Sequence, residues 1–397
     1  MSQDPVPGQP VPVVSRILFL TAGDSRSSEA LQALLAQPFS WDSLLVLAEW
    51  ERTLPWSWRR IRASGASVPA EYAAAFDRLS RVCEFQSMTL EDRLYRLLTA
   101  FGEAGIRSIL LKGAAIALTA YRSFGERPMG DLDILISPDD SARAWEIALS
   151  QGWSWDHQAY PREHYQAHHH LPPLYDEART GIKLELHTGL SLSSHPFALS
   201  FEEALSVSRP VSPKWGNMVQ ALDNEHVVIH LAVHFAWAHL ASFGMWRLAR
   251  DLGALSAKGV DWERTVELAR RHRAELSLYW SLRLASRLCG VEAAPAWVLD
   301  RMRPDRPAWL LDVLERHLAA HVIATVVPCP SEKWRRVMWS LALSPSRTST
   351  SADRPWNAQP TPLLGGKGER GMLGKIRLQL AHARDWRRYI SMLRSAS

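Results

Sequence analysis

Cysteine is scarce here: Cys83, Cys289 and Cys329 are the only three in 397 residues. They lie far apart and lack metal-ligand spacing, which excludes a disulfide framework and a cysteine-rich zinc module and points to structural thiols in a reducing compartment. No apolar run reaches the 18 or more residues of a membrane-spanning helix. The early VPVVSRILFL stretch is interrupted by Arg16 and has no basic leader, so it reads as neither a membrane span nor a signal peptide. A cytoplasmic protein is expected. Internal repeats are missing too, and so is the Glu of an H-E-x-x-H zinc motif. His226, His230 and His234 recur at intervals of four along one helix face without it, and read as histidines satisfied by hydrogen bonds. Charge of one sign is not dominant. The formal +5 leans on Arg335, Arg336, Arg377, Arg387, Arg388 and Arg394, and a solvated Arg-rich helix accounts for it. The 18 tryptophans are scattered through helical stretches without a basic groove, so nucleic acid is the disfavoured partner.

What is present is an ordinary globular composition, 47% apolar and 22% charged, with length enough for two or three domains. Residues 1–26 open Pro-rich and are expected to be a loose leader. Residues 27–104 read as helices, with Ser27 and Ser40 as N-caps and Leu31, Leu34 and Leu35 as an apolar stripe. Strands are expected between 153 and 187, including 166–175 and 182–187 around a turn. From about 201 helical periodicity returns, with Asp223 opening a strong helix. Residues 344–374 are rich in Ser, Pro, Gly and Thr and read as a flexible linker, followed by a basic amphipathic helix over 375–397.

The chain is organised around 106–137, IRSILLKGAAIALTAYRSFGERPMGDLDILIS. An apolar strand ends on Lys112-Gly113, an Ala-rich helix follows, and Asp131-Leu132-Asp133 opens a second strand. Side chains alternate along a strand, so Asp131 and Asp133 share one face while Leu132 and Ile134 enter the core. Farther on, Ile182, Leu184 and Leu186 alternate with Lys183, Glu185 and His187, which places Glu185 and His187 on a polar strand face. Three carboxylates on neighbouring strands suit a hard divalent cation, and two ions held by such a set can neutralise the charge that develops when a nucleoside triphosphate is attacked.

The elements Leu110-Leu111-Lys112-Gly113, Tyr121, Arg127, Asp131-Leu132-Asp133-Ile134-Leu135 and Leu184-Glu185-Leu186-His187 resemble the uncharacterised nucleotidyltransferase family of the polymerase-beta-like superfold, over roughly 27–260. The Asp251-Leu252 pair after a His-rich helix is similar to the segment C-terminal to the core in that family. The resemblance implies an α/β (α+β) fold: a small mixed β-sheet nucleotidyltransferase core over 105–200, flanked by the helical N-terminal segment and a helical C-terminal domain over 201–343. It implies Asp131, Asp133 and Glu185 as catalytic metal ligands for Mg²⁺ or Mn²⁺, and Lys112, Gly113 and Arg127 as nucleotide-binding residues. His187 and Asp251 would contact the acceptor or support the ligands, although a simple helix ion pair between Asp251 and Arg247 is the preferred reading of that spacing. The wider superfamily has Gly-Ser where this chain has Gly113-Ala114, so the triphosphate grip is expected to rest on Lys112 or Arg127. The implied reaction moves a nucleoside monophosphate, AMP from ATP, to a hydroxyl or phosphate of a small molecule or peptide. Bacterial clusters making ribosomal peptides or cell-surface molecules are the implied setting. Two alternatives stand beside it: a catalytically degenerate nucleotide- or peptide-binding protein of the same fold, and a DxD glycosyltransferase.

Overall fold

Leu132, Ile134 and Ile136 alternate with Asp131 and Asp133 along Asp131–Ile136, a strand that is apolar on one face and acidic at the start of the other. The computed structural model describes residues 13–24, 27–155, 165, 168–177, 181–191, 197–216, 218–322, 332–343, 387 and 389–391. Its seven strands are β1 (Ser108–Leu110), β2 (Asp131–Ile136), β3 (Trp153–Trp155), β4 (Leu174–Asp176), β5 (Lys183–His187), β6 (Ser208–Val211) and β7 (Val219–Leu222), in the order β3-β4-β5-β2-β1-β7-β6. The sheet is mixed. β2 runs parallel to β5 and β1 parallel to β7, while the other neighbours are antiparallel. The protein is thus α/β, with most of the described residues in helices.

Five helices precede the sheet: α1 (Val13–Thr21), α2 (Ser28–Leu35), α3 (Trp41–Trp50), α4 (Leu54–Ala63) and the 34-residue α5 (Ala70–Glu103). In α5, Leu90, Leu94, Leu97 and Phe101 recur at three to four residues and so form one stripe. That stripe covers the sheet face made by Leu110, Leu132, Ile134, Leu184 and Leu186, together with Trp145 of α7 (Ser141–Ser150), which comes after α6 (Lys112–Thr119). The opposite face, through Ile109, Leu111, Leu135 and Leu222, belongs to a second and larger core. This core is built largely from α8 (Phe201–Ser206), α9 (Asn224–Val233), α10 (Met245–Ala257), α11 (Trp262–Arg271), α12 (Glu275–Cys289), α13 (Ala296–Met302), α14 (Ala308–His321) and α15 (Glu332–Leu343). Asp133 and Glu185 open toward this helical side.

Three expectations need correction. The expected loose leader contains α1, whose Ile17, Leu18 and Phe19 are fully buried against the C-terminal helices; Trp246 Nε1 donates to Thr21 Oγ1 at 2.9 Å. The apolar run too short for a membrane has enough surface to be buried in a core instead. The stretch after 201 is not wholly helical, because β6 and β7 form a hairpin and add β7 to β1. Four residues each, interrupted by Pro210, give no readable period. Of the expected strand 166–175, residues 166–167 lie outside the described residues; among the described ones Leu174 and Tyr175 are strand, within Leu174–Asp176, and His170 makes an isolated bridge to His187. The linker 344–374 lies outside the described residues, as does the basic terminal helix apart from 387 and 389–391, where Tyr389 is buried and its hydroxyl lies 2.9 Å from His317 Nδ1. Among the described residues no helix is long and apolar enough to cross a membrane.

Every residue of α9 is buried, so its exposed-end chemistry falls on the cap. Asp223 accepts from His226 N–H at 2.9 Å, lies 2.6 Å from His226 Nδ1, and accepts from Arg264 at 2.7 Å. Burial pushes its pKa up, but His226 and Arg264 outweigh that and hold it below the ordinary value. Asp223→Ala is therefore expected to cost about 1–2 kcal/mol in urea denaturation at neutral pH. A carboxylate with a depressed folded pKa contributes above its unfolded pKa and loses that contribution as pH falls through the folded one, so the two proteins should converge in acid. Equal urea midpoints at pH 7 would show that the cap contributes nothing.

Candidate active site

The register of β2 against β5 assembles the site. Asp131 stands opposite Lys183, Asp133 opposite Glu185 and Leu135 opposite His187. Partners in parallel strands share a face, so three carboxylates, a lysine and an imidazole share it. Asp133 and His187 are 3% and 1% exposed, and Asp133 Oδ1 is 2.9 Å from His187 Nε2. The same oxygen accepts from Lys112 Nζ at 2.7 Å. Glu185 accepts from Lys183 at 2.6 Å and lies 3.6 Å from His187 Nε2. One ligating atom each from Asp133, Glu185 and His187 falls within 4.8 Å of the others, and this is the one such group among the described residues.

The charges here are mutually stabilised. Burial works to raise the pKa of Asp133, but the Lys112 ammonium and the His187 hydrogen bond hold it well below the carboxylate range. Burial likewise works to raise Glu185, and the His187 hydrogen bond with Lys112 and Lys183 brings it down to about 2. Lys112 is pushed down by burial and pulled further up by Asp133 and Glu185. All three groups are ionised at neutral pH. Two carboxylates and an imidazole are a fitting donor set for Mg²⁺ or Mn²⁺, with the nitrogen favouring the softer ion. His187 Nδ1 is buried without a hydrogen-bond partner, and the Lys112 ammonium supplies a cationic charge at Asp133.

The other expected residues occupy distinct places around this group. Asp131 is exposed at the start of β2, on the wall of the cleft and outside the close-set group. Arg127 is bound to Asp251, with Nε 3.1 Å and Nη2 2.8 Å from the carboxylate, and Tyr121 donates to the same carboxylate at 2.8 Å. The expected helix pair between Asp251 and Arg247 is therefore replaced by a tertiary one, because Asp251 is on the buried face of α10. Gly113 is a close approach: a Cβ there would sit 2.6 Å from Arg127 Nη1 and 3.0 Å from Met129 Sδ. Ala114 is 1% exposed and packs into the sheet core, away from the cleft, so the missing hydroxyl would have pointed away from any nucleotide held there.

A cleft of about 560 Å³ opens over this face. One wall carries Lys112, Gly113, Arg127, Asp131, Asp133 and Lys183; the other carries His234, His239, Phe243, Gly244, Arg247 and Asp251. α9 and its C-cap carry the stripe His226, His230 and His234, the last two rings 6.4 Å apart, and the helix passes into a π-helical turn over His234–Ala238 only at its end. His226 is held by Asp223, and burial pushes His230 down to about 3 and His239 down to about 4, so both are neutral. His169 and His170 pack their rings 5.3 and 5.5 Å from His187, while His157 and His164 lie outside the described residues. Sequence reasoning missed Lys183, Arg52 and Arg247 as cleft residues. Lys183 carried a signal in its alternation with Glu185. The two arginines carried none, since distant helices bring them in.

Compared with known proteins, residues 37–290 match the model of a family described as uncharacterised nucleotidyltransferase, from just before α3 to the end of α12. No curated protein and no solved structure matches the chain.

Proposed function

This chain belongs to the uncharacterised nucleotidyltransferase family, and from that premise we propose that it transfers the nucleoside monophosphate of an NTP, AMP from ATP, to a hydroxyl or phosphate of a small molecule or peptide in natural-product biosynthesis in the cytoplasm. The observation that carries this reading is the facing pair Asp133 and Glu185 across two parallel strands, with His187 beside them, Asp133 itself lining a cation-lined cleft. Asp133, Glu185 and His187 would hold Mg²⁺ or Mn²⁺, with Asp131 available at the rim. Such an ion neutralises charge on phosphate oxygens and makes the acceptor oxygen more nucleophilic.

The protein's own contribution is positional and electrostatic. In the reaction the acceptor oxygen forms a bond to the α-phosphorus, the α–β phosphoanhydride bond breaks, pyrophosphate leaves, and the acceptor proton passes to solvent. Glu185, ionised throughout the neutral range, suits ligation better than proton storage. Gly113 keeps the start of α6 free of a side chain, so Arg127 lies close over that backbone. Of the groups facing the phosphates, Asp133 is buried, and burial strengthens its charge interactions relative to those of the exposed Arg52 and Asp131.

The paired state of Lys112 and Lys183 also supports a second reading, a nucleotide-binding protein without turnover. Purified protein incubated with Mg²⁺ and each of ATP, GTP, CTP and UTP, with candidate acceptors or water as nucleophile, separates them. Metal-dependent pyrophosphate release that falls about 100-fold or more in Glu185→Gln is expected. Release at an unchanged rate in that variant would sink the proposed site. NTP binding without any product would favour the second reading.

A further inference from the structure

Five cationic side chains line the cleft, and they divide into two classes. Lys112, Arg127 and Lys183 are each within 2.8 Å of a carboxylate, those of Asp133, Asp251 and Glu185. A phosphate approaching any of them competes with an acid already in place. Arg52 and Arg247 line the same cleft and, among the described residues, neither side chain makes an ion pair or a hydrogen bond. The acid whose charge Arg247 feels most is Glu51, which lies beyond ion-pair distance and whose buried Oε2 has no hydrogen-bond partner. Holding a guanidinium in a cleft wall without a partner is costly, and such a group is satisfied when an anion arrives.

Both arginines are held in place by backbone features. Arg52 is on the turn after α3 with φ +56, a left-handed conformation that costs about 1–2 kcal/mol in a non-glycine residue and recurs at ligand sites. Its guanidinium lies against Gly130, where any Cβ would overlap it, so the glycine just before Asp131 makes room for the arginine. Arg247 belongs to the first turn of α10, which begins after Gly244 at φ +80, where Glu51 accepts from the Gly244 backbone N–H. Two guanidiniums from separate elements line one concave space. Planar forks of this kind bind phosphate oxygens two at a time.

We propose that Arg247 and Arg52 form the polyphosphate subsite of the cleft, gripping the β- and γ-phosphates of the incoming NTP, while Lys112 and Arg127 act mainly through their own carboxylates. The inference rests on the nucleotidyltransferase reading only in taking a triphosphate arm as the ligand; a phosphorylated acceptor would offer the same chemistry with a single phosphate.

Calorimetric titration with inorganic tripolyphosphate in EDTA, so that no metal bridges the anion, tests this directly. Affinity is expected to fall about tenfold or more in Arg247→Gln and severalfold in Arg52→Gln, with Arg247→Lys intermediate because its bidentate fork is lost. Arg107→Gln, whose surface pair with Glu202 is not part of the cleft lining, is expected to stay within about threefold of wild type. Thermal melts check that each variant folds, and Arg52, being exposed, is the substitution least able to disturb the fold. Wild-type affinity in both arginine variants, a loss in Arg107→Gln as large as in Arg247→Gln, or no tripolyphosphate binding by wild type would each overturn the proposal. Inorganic phosphate bound as tightly as tripolyphosphate, with both lost equally in Arg247→Gln, would assign the pair to an acceptor phosphate and overturn the assignment to the triphosphate. Failure of the reaction itself reads differently: tripolyphosphate binds and depends on Arg247, yet no nucleotide is transferred.

Discussion

Asp133→Asn is expected to lower nucleotidyl transfer by about a thousandfold and, at the same time, to make the protein less stable. The first effect comes from losing a metal carboxylate, since charge stabilisation by a bound cation is worth several kcal/mol and each ~1.4 kcal/mol is tenfold in rate. The second distinguishes this site from a bare acidic cluster. Where carboxylates repel one another, removing one stabilises the fold. Here Asp133 is the counter-charge of the buried Lys112, and deleting one partner of such a pair costs about 3–5 kcal/mol. Because Lys112 and His187 hold the Asp133 pKa low, its contribution is present at and above the ordinary carboxylate range and fades as pH falls through the folded value. The stability gap should therefore be wide at pH 7 and close in acid. Mn²⁺ should raise the melting temperature of wild type and leave the variant unmoved. A variant more stable than wild type at pH 7 would refute the neutralising role of Lys112, and unchanged turnover would remove Asp133 from catalysis.

Asp251→Ala is expected to be among the most destabilising single changes in the protein, by about 3–5 kcal/mol in urea denaturation. It leaves Arg127 without the carboxylate that binds it through Nε and Nη2, and leaves the buried Tyr121 hydroxyl without its acceptor. Burial alone would push the Arg127 pKa down; Asp251 reverses this and raises it, a sign of how closely the two charges depend on each other. The informative comparison is the double variant Arg127→Leu with Asp251→Leu. Removing both charges abolishes the uncompensated arginine, so the double variant should be markedly more stable than Asp251→Ala although it lacks more native polar contacts. Equal destabilisation in the two would mean that lost packing, and not an unpaired buried charge, sets the cost. Transfer should fall in both, because Asp251→Ala frees Arg127 Nη1 from its place over Gly113 and the double variant lacks that guanidinium.

Two-residue alternation made half of the site legible in the sequence. It put Glu185 and His187 on one face of a strand and Asp133 on one face of another, which is local information carried by the pleat. Registry between those strands is tertiary, and only the parallel pairing of β2 with β5 shows that Asp133, not Asp131, lies opposite Glu185. The pairing of Asp251 was misjudged because a spacing of four on a helix looks like an ion pair whenever burial is unknown. Its true partner is 124 residues away. Arg52 and Arg247 were invisible for the same reason, since no short-range pattern brings the end of α3 to the start of α10. Ala114 looked like a defect in a phosphate-binding turn, and its packing into the sheet core makes it a core residue instead.

The fold also separates the order in which the chain is made from the order in which it can be completed. α1 packs on α2 and α3, close to it in sequence, and also on α10 and α12, and Thr21 meets Trp246 across 225 positions of sequence. Closing so long a loop must precede any return from that contact, so formation of this core is slow and late compared with the local hairpins and helix pairs between its ends. During synthesis α1 can pack on α2 and α3 at once, while its contacts with α10 and α12 wait until those helices exist. A helix that begins folding with its sequence neighbours is thus completed only by distant ones, and a chain cut short before α10 would leave Thr21 without the Trp246 indole.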